Sequence, residues 1–158
     1  MTTPPARSTR QSEQDTLHRL EHRLEHEADA WVTTADGTSE MPYLAPLPFL
    51  WNGSCLLFAA PAASPDGRGL ASAGGVRVGI GRSRDAVLLD GTVDVVEPTD
   101  LSEQDAELFA AKTGFDPRRL GTPCRYFRVR PQRVLVRHGT GEPDSRELMR
   151  DGRWLVSD

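Results

Sequence analysis

The chain has 158 residues, of which 37% are hydrophobic and 27% charged, and its formal net charge at pH 7 is −4. This length predicts one domain with one core. The negative charge argues against a nucleic-acid partner, because phosphates require basic surfaces. No apolar run is long enough to span a membrane, so a cytoplasmic location and no membrane partner are expected.

The N-terminal part predicts a tail followed by a helix. Residues 1–10 are polar and contain prolines, which is typical of a disordered tail, so a single domain is expected over 11–158. A near capping box at Ser12 and Asp15 predicts a helix to about residue 28 with one leucine-rich stripe. Three histidines on another face, His18, His22 and His26, have a spacing that can chelate a metal, but a solvated face is favoured and no metal is expected.

The middle of the chain predicts antiparallel strands joined by short turns. Strands are expected at 30–35, 39–51 and 54–60, with turns at Asp36-Gly37 and Asn52-Gly53. Three prolines lie in the second of these strands and predict a bent or edge strand: Pro42, Pro46 and Pro48.

The C-terminal half predicts further strands and two more helices. Helices are expected at about 67–73 and 100–112, the second with Leu101, Leu108 and Phe109 on its inner face, and strands at 76–80, 86–96, 124–130, 133–137 and near the end. Gly91 is expected to mark a bulge. The arginines of the strands at 124–137 indicate either a docking surface for an anion or a solvated face paired with the acidic helix. Six or seven antiparallel strands with flanking helices predict a small, mainly β barrel.

The segment SPDGRGL combines a hydroxyl, glycines and an arginine at a predicted helix start. Backbone N–H groups at a helix N-terminus, together with one guanidinium, are suited to binding an anion.

Four segments in this order resemble the FMN-binding split-barrel family, the relatives of pyridoxamine 5'-phosphate oxidase. They are WVTTADG, PLPFLWNGSCLLFAA, SPDGRGL and GRWL, and the resemblance covers about residues 15 to 156. It implies a six- to seven-stranded antiparallel split β-barrel and a homodimer with two cofactor sites at its interface. It also implies an FMN-dependent oxidoreductase that acts on a small organic substrate.

The resemblance also implies which residues bind the cofactor. Ser64 and Arg68 match the phosphate-binding positions, followed by Gly69 and Leu70. Trp154 is expected either to stack on the ring of the partner's cofactor or to anchor the core or the interface. The flavin ring is expected along two strands, at Leu47, Pro48, Phe49, Phe58, Ala59 and Ala60. No catalytic side chain is identified.

The identity of the cofactor stays open at this stage. Asp66 stands where relatives often carry a basic or neutral residue, and its carboxylate disfavours a phosphate. Gly69 replaces the usual asparagine. FMN, the deazaflavin coenzyme F-420 and haem remain alternatives, as do a binding protein without turnover and a divergent member that has lost its cofactor site.

Overall fold

The computed structural model describes residues 9–34, 41–138 and 144–156. Its α-helices are α1 (Thr9–His26), α2 (Pro65–Ser72) and α3 (Glu103–Thr113), and a 3-10 turn covers Pro117–Arg119. Its strands are β1 (Asp29–Thr34), β2 (Tyr43–Pro48), β3 (Leu50–Trp51), β4 (Leu56–Pro61), β5 (Gly75–Arg82), β6 (Asp85–Val96), β7 (Cys124–His138), β8 (Asp144–Arg150) and β9 (Arg153–Trp154).

All described strands belong to one antiparallel sheet with the order β2-β1-β5-β6-β7-β4-β3, and β8 joins β7 and β9 outside this path. The long strand β7 organises the sheet. Its first half lies between β4 and β6, and its second half lies between β6 and β8. Because β2 and β3 end the path, the sheet is open, as in a split barrel.

The core lies inside the curve of this sheet. Alternate residues of β1, β5, β6 and β7 are buried, and they share one cluster with α1 residues Leu20 and Leu24 and with Leu70 of α2. A smaller cluster under α3 contains Phe109 and Tyr126, whose rings meet edge to face at 5.6 Å. Because alternate strand residues face this core, the helices that share it are held against the same side of the sheet.

The predicted bulge at Gly91 is confirmed. Asp90 pairs with Arg133 while Gly91 pairs with Pro131, so Gln132 is the extra residue. A Cβ atom at Gly91 would lie 2.6 Å from Cγ1 of Val129, so only glycine fits this crossing. Strand β7 continues through Pro131 and the bulge, where two separate strands were predicted.

Element bounds differ from the predictions in several places. Helix α1 begins at Thr9, so the last two residues of the predicted tail are helical. The long second strand divides at Phe49 into β2 and β3. Helix α3 begins at Glu103 instead of near residue 100, and Ser102 caps it by accepting the N–H of Asp105. The described residues form nine strands, where six or seven were expected, because the predicted second strand divides in two and β8 was not predicted. The turn at Asp36-Gly37 lies outside the described residues.

Candidate functional site

The start of α2 is a complete helix cap. The Ser64 hydroxyl donates to the carbonyl of Pro61 at 2.8 Å and accepts the N–H of Gly67 at 3.0 Å. The N–H of Arg68 donates to the carbonyl of Ser64 at 2.9 Å. Proline at the first helical position has no N–H to offer. The chain itself therefore uses most of the donors that an anion would need.

A carboxylate also lies in the first turn of α2. The Oδ1 atom of Asp66 is buried and has no hydrogen-bond partner in the described part of the chain. The pKa of the Tyr43 phenol is raised above its ordinary value, mainly by its hydrogen bond to Asp66 and to a smaller extent by the negative charge of that carboxylate. Both residues line a crevice that leaves no room for a water molecule. The first turn of α2 therefore carries a carboxylate where the resemblance implies a phosphate.

The glycines of α2 are packing positions. A Cβ atom at Gly67 would lie well under 3.0 Å from the carbonyl oxygen of Pro61, and one at Gly69 would lie 2.7 Å from Oγ1 of Thr34. Leu70 is buried in the main core. The Arg68 side chain is exposed and makes no ion pair with another described residue. Of the predicted α2 site residues, only Arg68 presents a side chain to solvent with its polar group free.

The predicted ring-binding strand residues lie in the core. Phe49 and Phe58 are fully buried, with ring centroids 6.3 Å apart. The Lys112 ammonium lies 3.7 Å from the Phe49 ring centroid and donates to the carbonyl of Leu24 at 3.2 Å, and burial lowers its pKa. Leu47, Ala59 and Ala60 are also buried, and Pro48 is half-buried. These side chains contact the protein's own core.

Trp154 lines a cavity where α1, β3, α3 and β9 meet. The cavity has a volume of about 680 Å³. A second indole, Trp51, faces it, together with the carboxylate residues Glu21 and Glu25. The remaining lining includes Asn52 and Gly53 of the turn and the apolar residues Leu17, Leu20, Leu24, Leu50, Leu108 and Val156. We refer to this space as the tryptophan cavity.

The predicted site residues therefore fall into separate places. None of the α2 residues lines the tryptophan cavity, and of all predicted cofactor-binding residues only Trp154 does so. The sequence did not identify Trp51 as a site residue. It predicted Leu108 on the inner face of its helix, but the Leu108 side chain is 46% exposed. The available signal was a tryptophan directly before the Asn52-Gly53 turn.

Other candidate groups are held in ordinary structural contacts. His22 and His26 stack at 4.2 Å, and within the described ranges no three His, Cys, Asp or Glu side chains form a metal site. Burial raises the pKa of the Cys124 thiol, which opposes formation of a reactive thiolate. Arginines of β7 pair with neighbours in the sheet, Arg125 with Glu97 and Arg130 with Asp94.

No protein-family model and no curated protein matches the sequence. Solved structures do match. An F420 reductase is 20% identical, covering 72% of this chain and 94% of its own, with a TM-score of 0.57. The heme storage protein HutZ of Vibrio cholerae is 16% identical, covering 89% and 98%, with a TM-score of 0.58. A pyridoxamine 5'-phosphate oxidase-like protein of Listeria innocua is 15% identical, covering 79% and 97%, also at 0.58.

These similarities establish the fold. The chain is a split barrel of the kind found in pyridoxamine 5'-phosphate oxidase-like proteins, as its sequence segments predicted. Since the three matched proteins are named for different ligands or activities, the fold alone does not assign a ligand. None of the described helices is long and apolar enough to cross a membrane.

Proposed function

We propose that this split barrel binds a small planar ligand in the tryptophan cavity and acts as a flavin- or deazaflavin-dependent oxidoreductase in the cytoplasm. The cavity is the observation that carries the proposal. Its volume of about 680 Å³ lies within the range of roughly 300–1,000 Å³ typical of small-molecule sites. An F420 reductase is among the structural neighbours, and this supports a deazaflavin as the ligand.

The lining of the cavity suits a flat heterocycle. Indoles stack on aromatic rings and exclude water from the faces that they cover. Trp154 is 44% exposed and Trp51 is partly buried, so both still have surface that a ligand can cover. The leucines of α1 supply an apolar floor, and Asn52 offers a polar group at the turn. The chain would bind and orient the ring, whereas the redox chemistry would belong to the ring itself.

Haem is the weaker candidate for this cavity. Haem iron requires an axial ligand such as His, Cys, Met or Tyr. No such residue is part of the cavity lining among the described residues. The heme storage protein among the structural neighbours keeps haem as an alternative to be tested. A binding protein without turnover is the second candidate, because the described part of the lining offers no titratable side chains except two carboxylates on α1.

We also propose that the chain is a homodimer. One row of apolar residues crosses the outer face of the sheet, formed by the successive register partners Pro46, Trp31, Gly79, Leu88 and Leu135. We refer to it as the outer apolar row. Trp31 is 53% exposed and Leu88 is 39% exposed.

A second copy of the chain fits the outer apolar row. Gly79 leaves a gap between Trp31 and Leu88, where a Cβ atom would meet nothing closer than 3.8 Å. A bulky side chain from a two-fold-related copy can fill such a gap. The ion pair between Arg77 and Asp90 borders the row on the same face and provides a polar rim.

The cavity is tested by titrating the purified protein with riboflavin, FMN, deazaflavin F-420 and haemin while recording absorbance and tryptophan fluorescence. We expect a shifted flavin or deazaflavin band and quenching of indole emission. Trp154→Ala should weaken binding about tenfold, because it removes one stacking surface. Trp31→Phe is the matched control, since Trp31 lies outside the cavity and its loss should leave the affinity unchanged.

Two other results are informative. A Soret band that saturates at one haemin per chain would indicate that haem, and not a flavin, is the ligand. Absence of binding by all four compounds would contradict the proposed function.

The homodimer is tested by Trp31→Glu. A charge buried in an apolar interface without a partner is strongly unfavourable. We expect the parent to have twice the 17.4 kDa mass of a single chain in light scattering and the variant to have the single-chain mass. Leu120→Glu is the control, since Leu120 is 45% exposed but outside the outer apolar row. A variant that remains dimeric would place the interface elsewhere.

A further inference from the structure

We propose that the start of α2 excludes phosphate groups and that the ligand of the tryptophan cavity is a flavin-type ring that carries no phosphate, which decides against both FMN and the phosphate-bearing coenzyme F-420. The ligand class rests on the proposed function, whereas the exclusion of phosphate rests on α2 alone. The committed donors of the cap and the charge of Asp66 carry the exclusion of phosphate, and the carboxylates at the tryptophan cavity bear on the class of ligand.

The cap donors are already committed. A serine hydroxyl has one hydrogen, and that of Ser64 is given to the Pro61 carbonyl. The N–H of Gly67 is given to Ser64 in turn, and the N–H of Arg68 to the Ser64 carbonyl. A phosphate at this helix end would have to break these bonds, or bind by the N–H of Asp66 and the exposed Arg68 side chain alone.

Asp66 opposes a phosphate by its charge. Its carboxylate lies in the first turn, where it already interacts favourably with the positive end of the helix dipole. A dianion placed beside it would be repelled at a few ångströms. Tyr43 adds a steric barrier, because its hydroxyl lies beside the carboxylate and both line the closed crevice against Leu47 and Leu70.

The tryptophan cavity, like the start of α2, carries negative charge. Glu21 and Glu25 are exposed carboxylates four residues apart on α1, and neither forms an ion pair with another described residue. Among the residues that the structure describes, no lysine or arginine is part of the cavity lining. An uncharged ring with hydroxyl or N–H donors is compatible with these acceptors, whereas an anionic tail is not.

Riboflavin and FMN form the sharpest pair of probes, since they differ only by the phosphate. We expect the parent protein to bind FMN no more tightly than riboflavin. Glu21→Gln removes a carboxylate of the cavity lining and should raise the affinity for FMN relative to riboflavin about tenfold, whereas Asp66→Asn, which lies outside the cavity, should change neither affinity. Asp100→Asn, at an exposed carboxylate outside both sites, should change neither affinity. A parent preference for FMN above about tenfold that Arg68→Ala removes would overturn the proposal.

A second measurement needs no flavin and separates this proposal from the proposed function. The melting temperature is compared in inorganic phosphate and in chloride at equal ionic strength. We expect no phosphate-specific rise for the parent and a rise for Asp66→Asn. A phosphate-specific rise in the parent that Arg68→Ala abolishes, or an Asp66→Asn variant that does not respond, would overturn the exclusion by Asp66 even if riboflavin binds in the cavity.

Discussion

Replacing Phe58 by alanine should lower the free energy of unfolding by about 3–5 kcal/mol in protein that carries no ligand. The ring is fully buried, packs against Phe49 and pairs across the sheet with Phe127. Removing it leaves a cavity in the middle of the main core, which the surrounding strands can close only in part. Urea unfolding followed by circular dichroism measures the effect.

Two variants make the interpretation of Phe58 specific. Phe58→Leu keeps most of the apolar volume and should cost clearly less than the alanine variant. Arg68→Ala, at an exposed side chain of α2, should leave unfolding close to that of the parent. If Phe58→Ala unfolded like the parent but lost ligand binding, Phe58 would be part of a ring platform, as the family resemblance implies, and its place in the core would matter little.

The elements that the sequence predicted best are those with a regular apolar period. The leucine stripe of α1 and the alternation of Val76, Val78 and Ile80 in β5 each face the core as expected. Strand β8 was missed for a physical reason. Its register shifts so that Leu148 is an extra residue, and both Leu148 and its neighbour Met149 are buried. A bulge therefore removes the alternation by which such a strand is recognised.

The candidate site was less predictable because the same residue types at a helix start can serve either a structural role or an anion-binding role. A serine, a proline and glycines at a helix start can cap the helix and pack it, or can bind an anion. Which need is met depends on Pro61 and Thr34, which contact α2 from other strands. Trp51 and Trp154 line the same cavity although they are far apart in the sequence, and no local period reports this.

Gly67→Ala should destabilise the protein by about 2–3 kcal/mol, although alanine is the better helix former. The added methyl group would meet the backbone carbonyl of Pro61, which is held by β4 and by its hydrogen bond from Ser64, so neither side can move cheaply. Thermal unfolding without ligand measures the change. We expect the lower stability to come with a loosened α2, which faster amide hydrogen exchange of this helix would report.

Gly74→Ala is the matched control. Gly74 lies between α2 and β5, a Cβ atom there would meet nothing within 4 Å, and its φ is not in the left-handed region. This variant should be neutral or slightly stabilising, because it restricts only the unfolded chain. A tolerated Gly67→Ala that weakened flavin binding would mean that the glycine admits a ligand to α2. A destabilised variant with unchanged affinity would mean that the glycine lets α2 pack against β4, which is the role that the closed cap indicates.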